Sequence, residues 1–352
     1  MIVAVSAACC DTEDPKPEPE ACLGTDGDRF RFITNSPGGA FMSVWGRSSD
    51  DVYAVGGDPG LGGGPAAFHL RDRFWQTMST AGTAGALNWV FGPGDDPDGP
   101  VWMVGQNATV LRHDPADGQT AREEVPSPAS TMFWGTWGTG EDDMWAVGGG
   151  DGRFQLLHRT GGAWTDAGDE LPAGLREDAV LYKIWGDDAG DLWVVGSQST
   201  VLRRTAGAWS QVPLPDGLGD QASLLTVHDG GDGRPLIVGG PNPALMLRWT
   251  GSALESLPLP EGSPPNLNGV RVGPSVLGDV VAVGGLGALI HGRAGDALTL
   301  ASETSHGLHA VWVDEKCEVW AAGGDLTSEN VGGDGVLLHY GEIVPKSMHR
   351  GL

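Results

Sequence analysis

Acidic and basic residues recur at a fixed spacing along the chain, and this is the first pattern that suggests chemistry. The bases are His69, Arg112, His158, Arg203, Arg248, His291 and His339. The acids are Asp51, Asp143, Asp191, Asp279 and Glu318. A histidine held beside a carboxylate can act as a general base. Because the pair returns in repeat after repeat, whereas a catalytic group is needed only once, we interpret it as structural.

The positions of these pairs predict how they meet. Each acid begins one strand and each base ends the next, so antiparallel pairing would put Asp143 directly opposite His158 and Asp191 directly opposite Arg203. We expect such pairs in the first, third, fourth, sixth and seventh repeats. If they lie near the rim of the fold, each contributes about 0–1 kcal/mol.

The elements that carry these residues form a repeat. A strand ending in Trp-Gly is followed by an acidic turn and a second strand ending in Val-Gly, as in residues 135–138 and 143–148. The glycines that end the second strands are Gly56, Gly105, Gly148, Gly196, Gly239, Gly284 and Gly323. A period of about 45 residues with four short strands is that of a propeller blade. The sequence therefore predicts an all-β fold, a seven-bladed β-propeller of four-stranded antiparallel blades.

The clearest copies of the repeat, at residues 45–56, 137–148 and 185–196, approximate the pattern W-G-x-x-x-x-D-V-W-A-V-G. This pattern resembles the repeat of exported lipoprotein propellers of myxobacteria and their relatives, most of them uncharacterised. The resemblance covers about residues 40–345 and is weaker in blades two, five and six. The pattern is also distantly similar to photosystem-assembly propellers and to the sialidase Asp-box, although the full Asp-box motif does not occur. The resemblance implies the fold and export more than an activity.

The last blade lacks a good fourth strand. Pro345 falls where the core residue of that strand is expected, and proline cannot donate to a sheet. Residues 27–33 read as an outer strand that would close the ring from the N-terminus and remove an exposed edge. This closure would bring Cys22 to the same face as Cys317, and an oxidising compartment would let them form a disulfide. The alternative is a bond between Cys10 and Cys22 that leaves Cys317 free.

The charge and the cysteine pattern exclude some partners. The net charge is −25, with four lysines and seventeen arginines, so nucleic acid is a poor partner. The four cysteines show no CxxC spacing, and no metal site is predicted. No cofactor is expected. A Ca²⁺ site at the acidic turns between the first two strands of the blades is an alternative, although Asp and Gly are also ordinary turn residues.

The N-terminus predicts export. Residues 1–9 resemble the end of a bacterial lipoprotein signal, with small residues before Cys9, the expected lipidation site. A positive region is missing, so a complete signal would need an upstream start codon. Residues 10–26 are acidic and proline-rich, as expected of an extended tether, and residues 27–352 form the propeller. We expect a monomer in the bacterial outer membrane or periplasm, attached to the membrane only through its lipid.

Two sets of residues are candidates for binding. Long loops in blades one and seven, which ring closure brings together, supply Asp58, Asp325, Glu329, Asn330 and Asp334. Loops on a rigid scaffold commonly bind ligands, but a flexible insertion without a task is the structural alternative. His228 and Arg271 stand where the other blades have an aromatic residue, which marks either a site near the channel or a degenerate repeat. Trp89 and Trp134 lie outside the repeat positions and are candidates for exposed tryptophans.

These observations predict a binding module for a protein or glycan partner at the cell envelope, without catalysis. The alternative is a propeller-type glycosidase or polysaccharide lyase. A sialidase would need a tyrosine nucleophile, and two of the three tyrosines, Tyr53 and Tyr340, occupy repeat positions in blade cores.

Overall fold

The computed structural model describes residues 22–23, 30–37, 39–58, 64–187, 190–240, 243–274, 279–293, 296–326 and 334–342. Within these residues, 28 strands form seven four-stranded antiparallel sheets. The sheets are arranged as the blades of a propeller, which confirms the predicted fold class and blade number. Two short 3₁₀ turns, Gly168–Glu170 and Gly285–Gly287, interrupt the connections.

Each blade contains strands A to D, counted from the channel outward. Blade one consists of β2 (Phe41–Ser48), β3 (Asp51–Gly56), β4 (Ala67–Arg71) and β5 (Phe74–Thr77). Blade two consists of β6 (Leu87–Phe91), β7 (Val101–Gly105), β8 (Thr109–Asp114) and β9 (Gln119–Arg122). Blade three consists of β10 (Met132–Gly140), β11 (Asp143–Gly150), β12 (Arg153–Thr160) and β13 (Ala163–Asp166). Blade four consists of β14 (Leu181–Gly186), β15 (Leu192–Gly196), β16 (Val201–Thr205) and β17 (Ala208–Gln211).

The remaining blades follow the same order. Blade five consists of β18 (Ser223–His228), β19 (Leu236–Gly240), β20 (Leu245–Trp249) and β21 (Leu254–Ser256). Blade six consists of β22 (Leu267–Val272), β23 (Asp279–Gly284), β24 (Ala288–Arg293) and β25 (Thr299–Ser302). Blade seven takes strands A to C from β26 (Leu308–Val313), β27 (Val319–Gly324) and β28 (Asp334–Tyr340), and its strand D is β1 (Arg31–Pro37).

The hydrophobic core lies between the faces of neighbouring blades. Every residue of β3 is buried, and the largest fully buried side chains include the strand-B aromatics Tyr53, Trp102, Trp145 and Trp320. Because each B strand is covered on both faces, its sequence is apolar at almost every position instead of alternating. β2 packs against β26 and β27, so the last blade meets the first and the ring is closed.

Every A strand carries a β-bulge at the same place. The residues that the pairing skips are Met42, Asn88, Trp134, Tyr182, Leu225, Asn268 and His309, which we call the bulge ring. A bulge adds one residue to one strand and re-aims its neighbours. Here it explains the repeat glycine of each B strand, which pairs with the residue just before the bulge, as Gly148 pairs with Phe133. A Cβ on Gly148 would lie 2.2 Å from the carbonyl oxygen of Met132, and the other six glycines meet an equivalent carbonyl at 2.1–2.3 Å.

The ring closes through the N-terminal strand, as predicted. β1 pairs with β28, from Arg31 opposite His339 to Pro37 opposite Asp334. The predicted bounds of this strand, 27–33, were wrong, because Ile33 rather than Phe30 is the residue buried in the inter-blade core. Phe30 precedes the strand and packs on Tyr340, with ring centroids 5.6 Å apart.

The predicted disulfide between Cys22 and Cys317 is present, with Cα atoms 4.9 Å apart and a sequence separation of 295. It fastens the segment before β1 to the A–B turn of blade seven, and the alternative Cys10–Cys22 bond is thereby ruled out. The backbone N–H of Cys22 also donates to Asp279. Cys9, Cys10 and the predicted boundaries at residues 9 and 26 lie outside the described residues.

The recurring acid–base pairs form in four of the five predicted blades. The shortest contacts are Asp51–His69 at 2.6 Å, Asp143–His158 at 2.8 Å, Asp191–Arg203 at 2.7 Å and Glu318–His339 at 2.6 Å. In blade six Asp279 and His291 do not form the pair, and a carboxylate oxygen of Asp279 accepts the Cys22 N–H.

The predicted register of these pairs was wrong by two residues. His158 lies opposite Trp145, not Asp143, and stacks on its ring with centroids 3.7 Å apart. Arg203 likewise lies opposite Trp193. The acid reaches its partner diagonally from two residues away on the same face of the strand, so each base is held by an aromatic ring and a carboxylate together.

Candidate functional site: the central channel

The A strands line a central channel with three successive rings of side chains. The bulge ring lies at the mouth that faces the B–C loops. The middle ring consists of Ser43, Trp89, Gly135, Lys183, Thr226, Gly269 and Ala310. The turn ring, nearest the A–B turns, consists of Trp45, Phe91, Trp137, Trp185, His228, Arg271 and Trp312. The rings stack in this order because strand A runs from the B–C loops toward the A–B turns.

A cavity of about 690 Å³, which we call the basin, opens at the mouth with the B–C loops. The bulge ring forms its floor, and Asp325 and Leu326 of the blade-seven loop contribute to its wall. Trp134 and Tyr182 meet edge to face in this floor, with centroids 5.8 Å apart. The volume lies within the range of about 300–1,000 Å³ typical of ligand pockets.

The polar residues of the bulge ring are committed to holding the blades together. Asn88 donates to the backbone oxygen of Phe133 at 2.8 Å, and Asn268 donates to that of Leu308 at 2.7 Å. His309 closes the ring in the same way, with its Nδ1 at 3.0 Å from the oxygen of Phe41. In each case the acceptor precedes the bulge of the next blade. The aromatic and apolar side chains are therefore the main surface that the basin offers to a partner.

A second cavity of about 240 Å³, which we call the chamber, lies at the turn end of the channel, and Lys183 lines both cavities. Lys183 Nζ lies 3.2 Å from the centroid of the Trp89 ring and donates to the backbone oxygen of Trp134 at 3.1 Å. The guanidinium carbon of Arg271 lies 6.0 Å from the same Trp89 centroid. Two cations thus approach one indole ring inside the channel, a geometry that favours cation–π attraction.

Burial opposes positive charge in the chamber. It lowers the pKa of Lys183 well below its usual value, and the charge of Arg271 lowers it further. Burial and the same guanidinium lower the pKa of His228. Burial lowers the pKa of Arg271 to about 9, which leaves its guanidinium charged at neutral pH.

The structure places the two predicted polar substitutions, His228 and Arg271, side by side in the turn ring. Arg271 is 7% exposed, so the structural alternative of a polar tip reaching bulk solvent does not apply to it. His228 approaches Trp185, with ring centroids 6.0 Å apart. The role of these residues in binding stays a prediction.

The predicted loop residues are only partly described. Asp325 lines the basin, and its Oδ1 lies 3.0 Å from His306 Nδ1. Asp334 begins β28, and its backbone oxygen accepts the N–H of Asp325. Asp58 is partly buried just after β3. Glu329 and Asn330 lie outside the described residues, and of the three predicted loop side chains that are described, that of Asp325 lines the channel.

The acidic A–B turns use their carboxylates as turn caps. Asp314 accepts the backbone N–H groups of Lys316 and Glu318, and Asp229 accepts those of Gly231 and Gly233. In the part of the chain that the structure describes, no three His, Cys, Asp or Glu side chains lie close enough to hold a metal ion. The Ca²⁺ alternative stays untested.

The described lining of the channel has few of the carboxylates that a glycosidase would use, and the lyase alternative stays a prediction. Glycosidases generally use two carboxyl groups that flank the scissile bond. Among the described residues that line the basin and the chamber, Asp325 is the one carboxylate. Tyr182 lines the basin, and burial raises the pKa of its hydroxyl.

Sequence reasoning missed the middle ring. Trp89 is 7% exposed, so its expected exposure was wrong, whereas Trp134 is partly exposed in the basin. The sequence reasoning used Lys183 only in the count of charged residues. Lys183 is one of four lysines, and the other blades have a small, hydroxylated or aromatic residue at the equivalent strand position. That contrast was the signal available in the sequence.

In the described part of the chain, no helix is long and apolar enough to span a bilayer. No protein-family model matches the sequence, and no curated protein matches it. The lipoprotein-propeller resemblance therefore stays a prediction.

Solved structures are similar to the chain in fold. YCF48 bound to D1 peptide is 14% identical, with a TM-score of 0.64 and coverage of 91% of this chain and 97% of that one. The WD40 β-propeller domain of Doa1 is 10% identical, with a TM-score of 0.62 and coverage of 90% and 98%. The extracellular domain of the putative one-component system BT4673 from B. thetaiotaomicron is 12% identical, with a TM-score of 0.62. The match covers 88% of this chain but only 39% of that one. The chain is thus a seven-bladed β-propeller, joined to known propellers by its fold rather than by its sequence.

Proposed function

We propose that this chain is an exported, lipid-anchored propeller that binds a protein partner in the basin. The observation that carries the proposal is the floor of the basin, where Met42, Trp134, Tyr182 and Leu225 surround a cavity of about 690 Å³. Aromatic and aliphatic side chains around a concave centre are typical of the sites that hold the anchor residues of a protein interface.

The wall of the basin adds to this surface. Leu326, in the blade-seven loop, is 56% exposed, although leucine side chains of this size are usually buried. It lies beside the floor, with Asp325 as its polar neighbour. An apolar anchor of the partner would contact the floor and Leu326, and a donor beside that anchor would meet the Asp325 carboxylate.

The fold neighbours support a protein partner. One of them, YCF48, is a propeller bound to a peptide, and the propeller domain of Doa1 is of the WD40 class. The rigid ring fixes the floor residues before a partner arrives, which lowers the entropy cost of association.

Export is supported by the disulfide between Cys22 and Cys317, because such bonds persist in oxidising compartments. An extracellular domain is among the fold neighbours. The acidic, proline-rich residues that precede Cys22 would separate the propeller from a lipid on Cys9, whereas Cys22 and Leu23 are buried in the folded ring. Labelling of the expressed protein with a radioactive fatty acid tests this part, and Cys9→Ala is expected to abolish the label.

The binding proposal is tested with the purified full chain on a displayed random-peptide library and on a glycan array. We expect selected peptides to share an apolar anchor and to lose binding at least tenfold, about 1.4 kcal/mol, with Trp134→Ala or Tyr182→Ala. Phe74→Ala, on the half-exposed outer strand of blade one, is the matched control and should bind normally.

Two results would contradict the proposal. Peptide binding that both floor variants retain would place the interface outside the basin. Glycan binding without peptide selection would make the partner a carbohydrate, and turnover of a bound glycan would favour the enzyme alternative.

A further inference from the structure

The chamber holds positive charge without a counter-ion. Lys183, His228 and Arg271 come from strands A of three consecutive blades and line one cavity. Among the described residues that line this cavity, none carries a carboxylate. This is unexpected in a chain whose net charge is −25. The acidic groups of the protein are therefore placed elsewhere, and the inside of the turn end is cationic.

Among these three side chains, Arg271 has the fewest hydrogen-bond partners for its donors. It is 7% exposed, and among the described residues it contacts the Trp89 ring but has no hydrogen-bond or ion-pair partner. A guanidinium has five N–H donors, and leaving them without a protein acceptor at a largely buried position is costly. Lys183, 8% exposed, directs one N–H to Trp134 and keeps its other donors for the cavity.

The Trp89 ring that both side chains approach only partly offsets this cost. Cation–π attraction contributes about 0.5–2 kcal/mol, but the Arg271 guanidinium still repels a charged Lys183. The repulsion contributes to the lowered pKa of Lys183. An anion between them would remove the repulsion and supply acceptors for both sets of donors.

We propose that the chamber is a binding site for a small oxyanion, a carboxylate or a phosphate, held between Lys183 and Arg271. A planar guanidinium matches two oxygens of either group, and an ammonium adds a point charge. The cavity of about 240 Å³ has room for such an anion with a few waters, each of which takes about 30 Å³ in the liquid. Trp45, Trp137 and Trp185 in its wall favour an anion with a flat apolar substituent. The proposal concerns the turn end of the channel and does not depend on the basin.

The test uses the full chain, with sodium benzoate and inorganic phosphate as separate probes at constant ionic strength. Isothermal titration calorimetry and tryptophan fluorescence measure binding. We expect saturable binding with one ion per chain and a rise in melting temperature, because a ligand that binds only the folded state stabilises it. Stronger binding of benzoate would identify an organic carboxylate as the natural class, and stronger binding of phosphate would identify a phosphate.

Variants locate the site. Arg271→Gln and Lys183→Met should each weaken binding about tenfold or more. Arg112→Gln is the matched control, because Arg112 also lies over a tryptophan, 5.7 Å from the Trp102 ring, but outside the channel. Circular dichroism and melting curves check that each variant folds.

A second measurement keeps the proposal testable if the variants unfold. Titration of the wild-type chain in buffers of different ionisation enthalpy reports protons taken up on binding. Uptake is expected, because an anion facing Lys183 and His228 favours their charged forms. The proposal is wrong if neither probe binds the wild-type chain at millimolar concentration, or if both channel variants bind as the wild type does.

Discussion

Glu318 and His339 lie 2.6 Å apart across strands B and C of blade seven, and neither side chain is more than 4% exposed. The equivalent Asp143 and His158 in blade three are 2.8 Å apart but 44% and 22% exposed. The same repeat position is thus a buried pair in one blade and a surface pair in another. In blade seven the chain that follows β28 returns to the pair, and Glu318 Oε1 accepts the backbone N–H of Glu342 at 2.8 Å.

This difference predicts different costs for the same substitution. Glu318→Ala leaves the buried imidazole of His339 without its partner, and we expect a loss of about 1–3 kcal/mol in the free energy of unfolding. Asp143→Ala, the matched control, should cost less than about 1 kcal/mol because solvent replaces the partner. Urea unfolding measures both. Equal losses would show that burial does not decide the strength of these pairs.

His113 predicts a loss of stability in mild acid. Burial, helped by the charge of His69, lowers its pKa from the usual value of 6.5 to about 4. Between these two values the unfolded chain binds a proton that the folded chain does not, so stability falls as the pH falls through this window. The slope from this residue reaches about 1.4 kcal/mol per pH unit.

His113→Gln removes the titrating group and keeps a donor for Thr120. We expect its unfolding free energy to depend less on pH between 6.5 and 4 than that of the wild type, with both measured in urea. His228 and His309, whose pKa values are also lowered by desolvation, act in the same direction and leave a residual slope. An unchanged slope in the variant would show that His113 does not contribute.

The repeat glycine of each B strand predicts a steric requirement. In Gly148→Ala the new Cβ would lie 2.2 Å from the oxygen of Met132, so the bulge of β10 must shift. Overpacking of this kind costs about 1–3 kcal/mol, sometimes more. Gly140→Ala is the control, because a Cβ there meets no atom within 4 Å. Thermal melting should separate the two variants, and equal melting temperatures would contradict the steric explanation.

The disulfide predicts a large effect of reduction. The chain-entropy estimate for a closed loop of this length is about 6 kcal/mol, because the bond restricts almost the whole unfolded chain. We expect Cys22→Ser and reduction by dithiothreitol to lower stability by similar amounts, with no further effect of the reductant on the variant. Cys317, at φ +64°, allows a second comparison. Cys317→Gly should be more stable than Cys317→Ser, because glycine adopts this backbone conformation without strain. Equal stability of the oxidised and reduced wild-type chains would show that the disulfide does not stabilise the fold.

Much of the fold could be predicted from local patterns. The Trp-Gly and Val-Gly signals recur with a regular period, so blade number and strand order follow from short-range sequence alone. Ring closure by the N-terminus followed from one unfavourable residue, Pro345, and the disulfide followed from ring closure. These predictions concern connectivity, which a repeat carries in its spacing.

The register between neighbouring strands and the contacts between blades could not be predicted from the sequence. The bulge in each A strand and the two-residue offset that puts His158 on Trp145 depend on how backbone groups pair in three dimensions. The chamber required more. Lys183, Trp89 and Arg271 belong to blades four, two and six, and only closure of the ring directs all three into one channel. In the sequence, each of these residues is only a position that differs from the other copies of the repeat. Its chemical role depends on the side chains that the fold places around it.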